Sequence, residues 1–325
     1  MKLPRRKFLY LAAGAAALPV VSRVAGAQAY PTRPVRIISP FGTAGANDLV
    51  ARLIGQWLSE RFGQQFVIEN RPGAGGTIGT EAAVRAPADG YTLLLFGTTQ
   101  TINATLYDKL SFDFIRDIAP VAPIIRLANV LDVNLSVPAK TVPEFIAYAK
   151  ANPGKINMAS VGTGSTPHVT GELFKMMAGV NMVHVPYRSA GAALTDLISG
   201  QVHVYFGTTA SSIEHIKAGK IRALGVTTTA RAEALPDIPT VGEFLPGYEA
   251  SFWFGLGVPK ATPAEIVNKL NKEVNAALDD PKMKARFADL GGTPLPGSPV
   301  QFGKLIAEET EKWGNVIRAL NIKAD

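Results

Sequence analysis

Four loops rich in glycine and hydroxyl-bearing residues are the main candidates for ligand binding. Their sequences are PFGTAGAND (40–48), NRPGAGGTIG (70–79), GTTQTIN (97–103) and SVGTGSTPH (160–168). Each follows a β-rich run and precedes a helical pattern, which places it at the carboxyl end of a strand, where α/β proteins bind ligands. Small residues let backbone N–H groups approach a ligand, and the helix start adds free donors and a positive dipole end. If the loops converge, this chemistry suits a carboxylate; each loop alone could equally be an ordinary turn or cap.

Other site chemistries fit these loops less well. The glycines of GAGGTIG (73–79) are spaced G-x-G-x-x-x-G, unlike a dinucleotide fingerprint, and begin four residues after their strand. GTGST (162–166) lacks the G-x-S-x-G pattern of a hydrolase nucleophile. The histidines at 168, 184, 203 and 215 lack zinc-site spacing, and the chain has no cysteine. We therefore expect neither a metal nor a cofactor.

An exported, hydrolase-like α/β enzyme is the main alternative. Its nucleophile and base would be Ser165 or Tyr187 with His168. Ser165 stands three residues before His168 at a helix start, where an N-cap is the simpler prediction. His184 and His203 lie in strand patterns and are expected to pack. Arg188 could pair with a substrate carboxylate or stay solvated at its strand end.

The elements that position these loops alternate along the chain after residue 30. Strands are predicted at 35–41, 65–69, 91–97, 156–160, 182–187, 202–206, 221–227 and 252–259. Helices are predicted by apolar periodicity from residue 50 and around 190–199 and 209–218, by Thr166-Pro167, and by capping boxes at 141–144, 262–265 and 298–301. This alternation predicts an α/β fold of mostly parallel sheets flanked by helices.

The length of 325 residues favours two lobes over one very wide sheet. Crossings are expected near 127–130 and in the Pro/Gly-rich stretch 235–249. We predict a first lobe formed by 30–128 plus 251–325, a second lobe formed by 129–250, and a ligand cleft between them.

The charge of the chain is concentrated at its start. The formal net charge is +7, but five of the 33 basic residues precede residue 28, where no acid occurs. The remainder is nearly neutral, which argues against nucleic acid as a partner. A basic segment, an apolar run of about 14 residues and Ala25-Gly26-Ala27-Gln28-Ala29 predict a signal peptide over 1–29, cleaved near Ala27 or Ala29. Arg5-Arg6 resembles a twin-arginine signal, with an ordinary Sec signal as the alternative.

Several segments together carry a family resemblance. YPTRPVRIISPF (30–41), NRPGAGGTIGTE (70–81), ADGYTLLL (88–95) and VPYRSAGAALTDLISG (185–200) resemble the Bug family, the periplasmic binding subunits of tripartite tricarboxylate transporters. The resemblance runs in order over essentially the whole chain after the signal. It implies a two-lobed, type II-like periplasmic binding protein fold, a carboxylate ligand and delivery to a membrane permease.

By position, the resemblance implies ligand contacts from both lobes. The implied contacts of the first lobe are Phe41, Thr43, Ala44, Gly45, Asn47, Asp48, Thr98, Thr99 and Gln100. Those of the second lobe are Ser160, Thr163, Gly164, Ser165, His168, Tyr187 and Gly207.

The chain departs from the family pattern at a few of these positions. Ala44 replaces the first glycine of P-F-x-x-G-G-x-x-D, and Gln100 stands where serine is usual. His203 and Gly207 replace the two acids of Q-V-D-x-x-F-D. Loss of an acid at the cleft would favour a ligand with a second negative charge, or leave room for a larger one.

The function expected from the sequence is therefore capture, not catalysis. We predict a monomeric periplasmic protein whose lobes close on a small di- or tricarboxylate or aromatic acid. A subunit that presents the loaded ligand to a sensor is a further alternative that the sequence does not separate from transport.

Overall fold

Two β-sheets, each flanked by helices, form the part of the chain described by the computed structural model, residues 30–43, 45–107 and 109–324. The described residues from Arg33 onward belong to one compact unit. The first sheet contains β1 (Val35–Ser39), β2 (Phe66–Asn70), β3 (Thr92–Gly97), β4 (Ile118–Leu127), β10 (Phe252–Pro259) and β11 (Gly292–Pro294). The second contains β5 (Asn129–Val133), β6 (Ile156–Ser160), β7 (Met182–Pro186), β8 (Val204–Thr208) and β9 (Arg222–Val226).

The helices follow the same division along the chain. Those of the first-sheet segments are α1 (Ala46–Phe62), α2 (Thr77–Val84), α3 (Thr98–Leu106), α4 (Phe114–Asp117), α9 (Ala264–Asp279), α10 (Pro281–Asp289) and α11 (Pro299–Ala319). Those of the second-sheet segment are α5 (Val142–Ala151), α6 (Thr166–Ala178), α7 (Ala190–Ser199) and α8 (Thr209–Lys217). In this part of the chain, no helix combines the length and apolar character needed to cross a bilayer.

Strand direction confirms the predicted two-lobed α/β fold with mostly parallel sheets. The strand orders are β11-β4-β10-β3-β1-β2 and β7-β6-β8-β5-β9. In the first sheet only β10 and β11 oppose the common direction, and in the second only β5 does. The reversal of β5 and β10 was not predicted. Each is the first strand after a crossing and enters its new sheet from the edge where the parallel strands end, so it must run against them.

The crossings bring three chain segments together. The chain changes sheets between Leu127 and Asn129 and returns between Val226 and Phe252. The Asn129 N–H donates to the Thr227 hydroxyl at 3.0 Å, and the Thr227 N–H donates to the Asn129 carbonyl at 2.9 Å. The Ala250 N–H donates to the Thr227 carbonyl at 2.9 Å. The lobe limits at 128/129 and 250/251 stay a prediction.

Strand β4 shows why one long element escaped prediction. Its sequence IAPVAPIIRL contains Pro120 and Pro123, and proline normally argues against a central strand because it cannot donate to the ladder. Here Pro120 pairs with Gly257 and Pro123 with Gly255, each directly after a shift in register. The prolines are tolerated because they occupy irregular positions in the pairing.

The three predicted capping boxes have different outcomes. At Ser298 the box forms: the Gln301 N–H donates to the Ser298 hydroxyl at 3.2 Å, and the Gln301 side chain accepts from the Ser298 N–H at 2.8 Å. At Thr141 only the hydroxyl bond forms, because the Glu144 carboxylate accepts from the Lys140 N–H instead.

The box predicted at Thr262 is wrong. The Thr262 hydroxyl donates to the Pro259 carbonyl at 2.7 Å, and α9 begins one residue later than expected, with Pro263 as its N-cap. Thr262 therefore lies one residue before the N-cap, and its hydroxyl bonds the preceding turn instead of the first turn of the helix.

One hydrophobic cluster joins the two lobes. Trp313, Val316 and Ile317 of α11 lie in the same buried cluster as Leu173 and Phe174 of α6. Ile102 and Leu106 of α3 also belong to it. Full burial of a large apolar side chain contributes about 1.5–3 kcal/mol. The last helix therefore stabilises both lobes, although its segment was predicted to belong to the first lobe alone.

Candidate ligand-binding cleft

A cleft of about 550 Å³ lies where the strand-to-helix loops of the two lobes meet. The first lobe lines it with Phe41, Gly45, Ala46, Asn47, Gly75, Thr98, Thr99, Asn103, Tyr107, Phe252 and Phe254. The second lobe lines it with Val161, Gly162, Thr163, Gly164, Ser165, Thr166, Pro167, Arg188, Ala190, Tyr205 and Thr208. Loops distant in sequence therefore converge on one concavity.

Three helices begin at this cleft without a side-chain cap. Their N-cap residues are Gly45 for α1, Gly97 for α3 and Ser165 for α6. None of these residues has a side chain that accepts a hydrogen bond from a backbone N–H of the first helical turn. Ser165 holds the predicted N-cap position, but its hydroxyl donates to the Gly162 carbonyl at 2.6 Å. The helix starts therefore keep N–H donors and positive dipole ends available to a bound anion.

Asn47 adds an orphaned donor at the same place. It is only 4% exposed, and its Oδ1 accepts from the Ser39 hydroxyl. Its Nδ2 is buried and has no hydrogen-bond partner among the described residues, although the residue lines the cleft. A buried donor left unpaired costs about 1–3 kcal/mol. A ligand oxygen that accepted this bond would recover that cost.

Hydroxyl groups extend the donor set across the cleft. Thr99 of the first lobe and Thr163 and Thr166 of the second are half-buried cleft residues. Within the described chain their hydroxyls form no hydrogen bond, so a ligand can engage them from both sides. The arrangement can hold an oxyanion by direct hydrogen bonds without a metal.

Seven of the predicted contact residues do not line the cleft. They are Thr43, Asp48, Gln100, Ser160, His168, Tyr187 and Gly207. Ala44 and the predicted signal peptide with its cleavage positions lie outside the described residues. The remaining eight, Phe41, Gly45, Asn47, Thr98, Thr99, Thr163, Gly164 and Ser165, lie together on the wall of the cleft.

Two of these seven support the first-lobe loops from behind. Asp48 is buried and accepts from Asn70 Nδ2 at 2.9 Å and from Arg52 Nε at 3.0 Å. Gln100 is buried and accepts from the Gly97 N–H at 2.9 Å, which satisfies the N-cap amide of α3. Thr43 is exposed outside the cleft. These contacts fix loop shape without offering the side chains to a ligand.

Second-lobe support comes from buried hydrogen bonds. Ser160 is fully buried and its hydroxyl accepts from the Gly162 N–H at 3.1 Å. Tyr187 donates its hydroxyl to Asp196 Oδ2 at 2.7 Å, away from the cleft. Burial, together with the hydrogen bond and charge of Asp196, raises the pKa of Tyr187 to about 12, so this phenol stays protonated. Arg188, which sequence reasoning left open, is the residue at this strand end that lines the cleft.

Gly207 does not leave the cleft larger, contrary to one of the two interpretations drawn from the sequence. A Cβ at this position would lie 2.5 Å from the Tyr205 ring and 2.6 Å from the Ser212 hydroxyl. The absence of a side chain instead makes space for the Tyr205 ring, which itself lines the cleft. Burial and the nearby Asp132 carboxyl raise the pKa of Tyr205, so it presents a neutral phenol.

Behind Tyr205, Asp132 is fully buried in β5. Both carboxyl oxygens lack a hydrogen-bond partner among the described residues, and burial raises their pKa well above the usual range. The second lobe therefore carries a buried acid beneath its cleft surface, and burial favours the neutral form of this acid.

The aromatic wall was missed by sequence reasoning. Phe252 and Phe254 lie two residues apart in β10 and therefore share one face of the strand. Tyr107 follows α3, and Asn103 donates to the Gly75 carbonyl at 2.8 Å. No loop motif marks these residues, because the choice of strand face toward the cleft depends on sheet order.

The described residues contain no group of three metal-ligating side chains.

Comparison with known proteins agrees with this geometry. The model of the tripartite tricarboxylate transporter family receptor matches residues 50–322. The chain belongs to this receptor family. The resemblance identified from the sequence is thereby confirmed, and this receptor shares 34% identity over 318 residues with the protein BugT of Bordetella pertussis, covering 97% of this chain and 96% of BugT.

Solved structures of similar proteins have the same fold as this receptor. Rpa4515 of R. palustris, solved with adipate, has a TM-score of 0.83 and 37% identity, covering 91% of this chain and 100% of that one. MatC of Rhodopseudomonas palustris, solved with bound malate, has a TM-score of 0.78 and 32% identity, covering 89% and 100%. Both of these proteins were solved with a dicarboxylate, and both are at least 32% identical to this receptor.

Proposed function

We propose that this receptor captures a small carboxylate-bearing molecule between its lobes in the periplasm and delivers it to a membrane permease. The observation that carries the proposal is the convergence of three helix starts without side-chain caps, at Gly45, Gly97 and Ser165, on one cleft. Donors from both lobes can contact the same ligand only when the lobes are close. Ligand binding would therefore favour the closed form that the permease engages.

The charge of the cleft supports an anionic ligand. Arg188 is the one ionised side chain among the described lining residues, and none of them is an acid. The aromatic rings of Phe41, Phe252 and Phe254 give the cleft an apolar wall. Such a site favours an acid with a compact hydrocarbon part. An amino acid would bind less well, because no acidic side chain on the cleft wall could pair with its ammonium group.

We infer that the chain acts without catalysis. The base of the enzyme alternative, His168, is 5% exposed, accepts the Gly164 N–H at Nδ1 and does not line the cleft. The candidate nucleophile Ser165 donates its hydroxyl to the Gly162 carbonyl. Neither group is arranged to activate the other.

The proposal is tested by binding to the purified protein lacking residues 1–29. A panel of adipate, malate, citrate and benzoate is titrated by calorimetry, with lysine as a cationic control. We expect at least one acid to bind; at 100 times Kd it would stabilise the protein by about 2.7 kcal/mol and raise the thermal midpoint by several degrees. If no carboxylate binds or stabilises the protein, the proposal fails.

A further inference from the structure

We propose that His168 is a positioning residue whose neutral imidazole holds the second-lobe ligand loop in its binding shape, so that acid weakens ligand capture. This inference rests on the proposed carboxylate-binding function of the cleft. The loop, residues 160–168, supplies seven of the cleft residues, Val161 through Pro167. His168 itself lies behind that wall, 5% exposed in the first turn of α6.

The decisive contact joins the ring to the loop backbone. The Gly164 N–H donates to His168 Nδ1 at 3.1 Å. Gly164 has a φ of +73°, and a Cβ there would overlap the Leu106 side chain of the opposite lobe. The loop is thus held in a left-handed conformation close against the first lobe. The acceptor on His168 fixes this conformation, since the N–H would otherwise be buried without a partner.

A second histidine reinforces the first. The rings of His168 and His184 stack with centroids 3.8 Å apart and an interplanar angle of 16°. His184 Nε2 lies 2.6 Å from the Ser160 hydroxyl, which also accepts from the Gly162 N–H at 3.1 Å. The two imidazoles therefore hold two successive glycines of the loop, Gly162 through Ser160 and Gly164 directly.

Protonation of His168 is incompatible with this arrangement. A cationic imidazole carries protons on both nitrogens, so Nδ1–H would point at the Gly164 N–H and the bond would be lost. The ring faces Glu172, whose Oε1 lies 3.7 Å from Nε2, and the titratable His184 of β7. Lys175 Nζ forms an ion pair with Glu172 Oε1 at 2.7 Å. This pairing reduces the stabilisation that the Glu172 carboxylate would give to a protonated ring. Two stacked cations would repel one another.

The consequence is a loop whose order follows pH. At pH 8 the neutral ring accepts the Gly164 N–H and the donors of the loop face the cleft. As pH falls through the range where histidine titrates, the proton displaces that bond and the loop loses its support. Ligand affinity falls with it, because the bound state requires the neutral ring.

The first test uses the ligand-free protein and needs no bound acid. Amide exchange at Gly164 is measured at pH 8 and pH 5, corrected for intrinsic rates. The lower value is needed because burial and the accepted N–H favour the neutral ring. We expect protection at Gly164 to fall about tenfold at pH 5 in the unmodified protein. In His168→Asn the amide oxygen can replace Nδ1 as acceptor and does not titrate, so protection should not change with pH. Protection that is equally pH-independent in both proteins would overturn the proposal.

The second test measures adipate affinity by calorimetry at the same two pH values. We expect about tenfold weaker binding at pH 5 for the unmodified protein, and His168→Asn to bind within about threefold of it at pH 8 with little pH dependence. His168→Phe preserves packing but removes the acceptor, and should bind weakly at both values. Comparison between variants at each pH cancels ionisation of adipate itself.

His203→Asn is the matched control. His203 Nδ1 also accepts a hydrogen bond from a backbone N–H, that of Asn157, at 2.9 Å. His203 does not line the cleft and is not part of the 160–168 loop. This variant should keep the pH dependence of the unmodified protein. Tight binding by His168→Phe would refute the positioning role. If the unmodified protein bound no acid at pH 8, the proposed function would fail, while the exchange experiment would still decide the role of His168.

Discussion

At the scale of single residues, the cleft combines orphaned donors with one unpaired cation. Asn47 Nδ2 is buried without a hydrogen-bond partner among the described residues, and Arg188 forms no hydrogen bond or ion pair within them. They come from different lobes, Asn47 from α1 and Arg188 from the loop after β7. A molecule with an acid group at each end could engage both, and this gives the lobes a reason to close on it.

Arg188→Gln should therefore weaken the binding of dicarboxylates more than the binding of monocarboxylates. We expect about a tenfold loss of affinity for adipate, in line with one partly solvated charge-assisted bond, and little change for hexanoate. Calorimetric titration with both acids measures the difference. Arg85→Gln is the control, since Arg85 is exposed, pairs with Glu81 at 2.7 Å and does not line the cleft. Equal losses for the two acids would argue against a contact with the second carboxylate.

Asp132 makes the stability of the second lobe depend on pH. Burial raises its pKa well above the usual range, so the folded protein keeps the proton on this carboxyl to a higher pH than the unfolded chain does. Its stabilising effect is present below the unfolded pKa and is lost as pH rises toward the folded pKa, by about 1.4 kcal/mol per pH unit.

Asp132→Asn removes this loss. We expect the variant to gain stability over the unmodified protein as pH rises from 5 to 7, by up to about 1.4 kcal/mol per unit. Urea unfolding at several pH values measures the difference, and the exposed Asp237→Asn serves as control. A constant difference across this range would mean that Asp132 is ionised in the fold.

At the scale of elements, local sequence predicted most strands and helix starts but not every cap or strand. β6 and β10 occur with the predicted limits, because buried β-branched and aromatic runs are bounded by clear turns. β4 was missed because Pro120 and Pro123 obscure it, and the side of β10 that faces the cleft could not be known without its neighbours β3 and β4. The Gly- and hydroxyl-rich loops were recognisable because glycine and hydroxyl-bearing residues are concentrated in short stretches of the sequence.

The capping box at Ser298 provides a quantitative check at this scale. Ser298→Ala removes the acceptor of the Gln301 N–H at the start of α11 and should lower the free energy of unfolding by about 1 kcal/mol. Ser165 is the N-cap residue of α6, but its hydroxyl accepts no hydrogen bond from the helix, so Ser165→Ala should lower the free energy of unfolding by less. Chemical denaturation of the two variants side by side tests this order. If both variants lost the same free energy of unfolding, the loss would not depend on whether the N-cap hydroxyl accepts a hydrogen bond from the helix.

At the scale of the whole molecule, the cluster around Trp313 makes the lobes interdependent. Trp313 is fully buried, donates from Nε1 to Glu309 at 2.9 Å, and packs in a cluster that includes residues of α3 and α6. We expect the two lobes to unfold together in one transition, because neither completes its core without α11.

Trp313→Ala should break this coupling. We expect a loss of about 3–5 kcal/mol and a thermal transition whose calorimetric enthalpy exceeds its van't Hoff enthalpy. Scanning calorimetry measures both, with Trp57→Ala as a control on the half-buried face of α1. A variant that still unfolds in one step would show that the lobes are joined by other contacts.

The hydrogen bonds between Asn129 and Thr227 also limit how the lobes can move. Because the outgoing and returning chains lie side by side at that point, twisting one lobe about its long axis would strain both of these hydrogen bonds. Bending across the pair would leave them intact. Opening and closing should thus have essentially one rotational degree of freedom, and the same set of donors should meet each time the ligand space shuts.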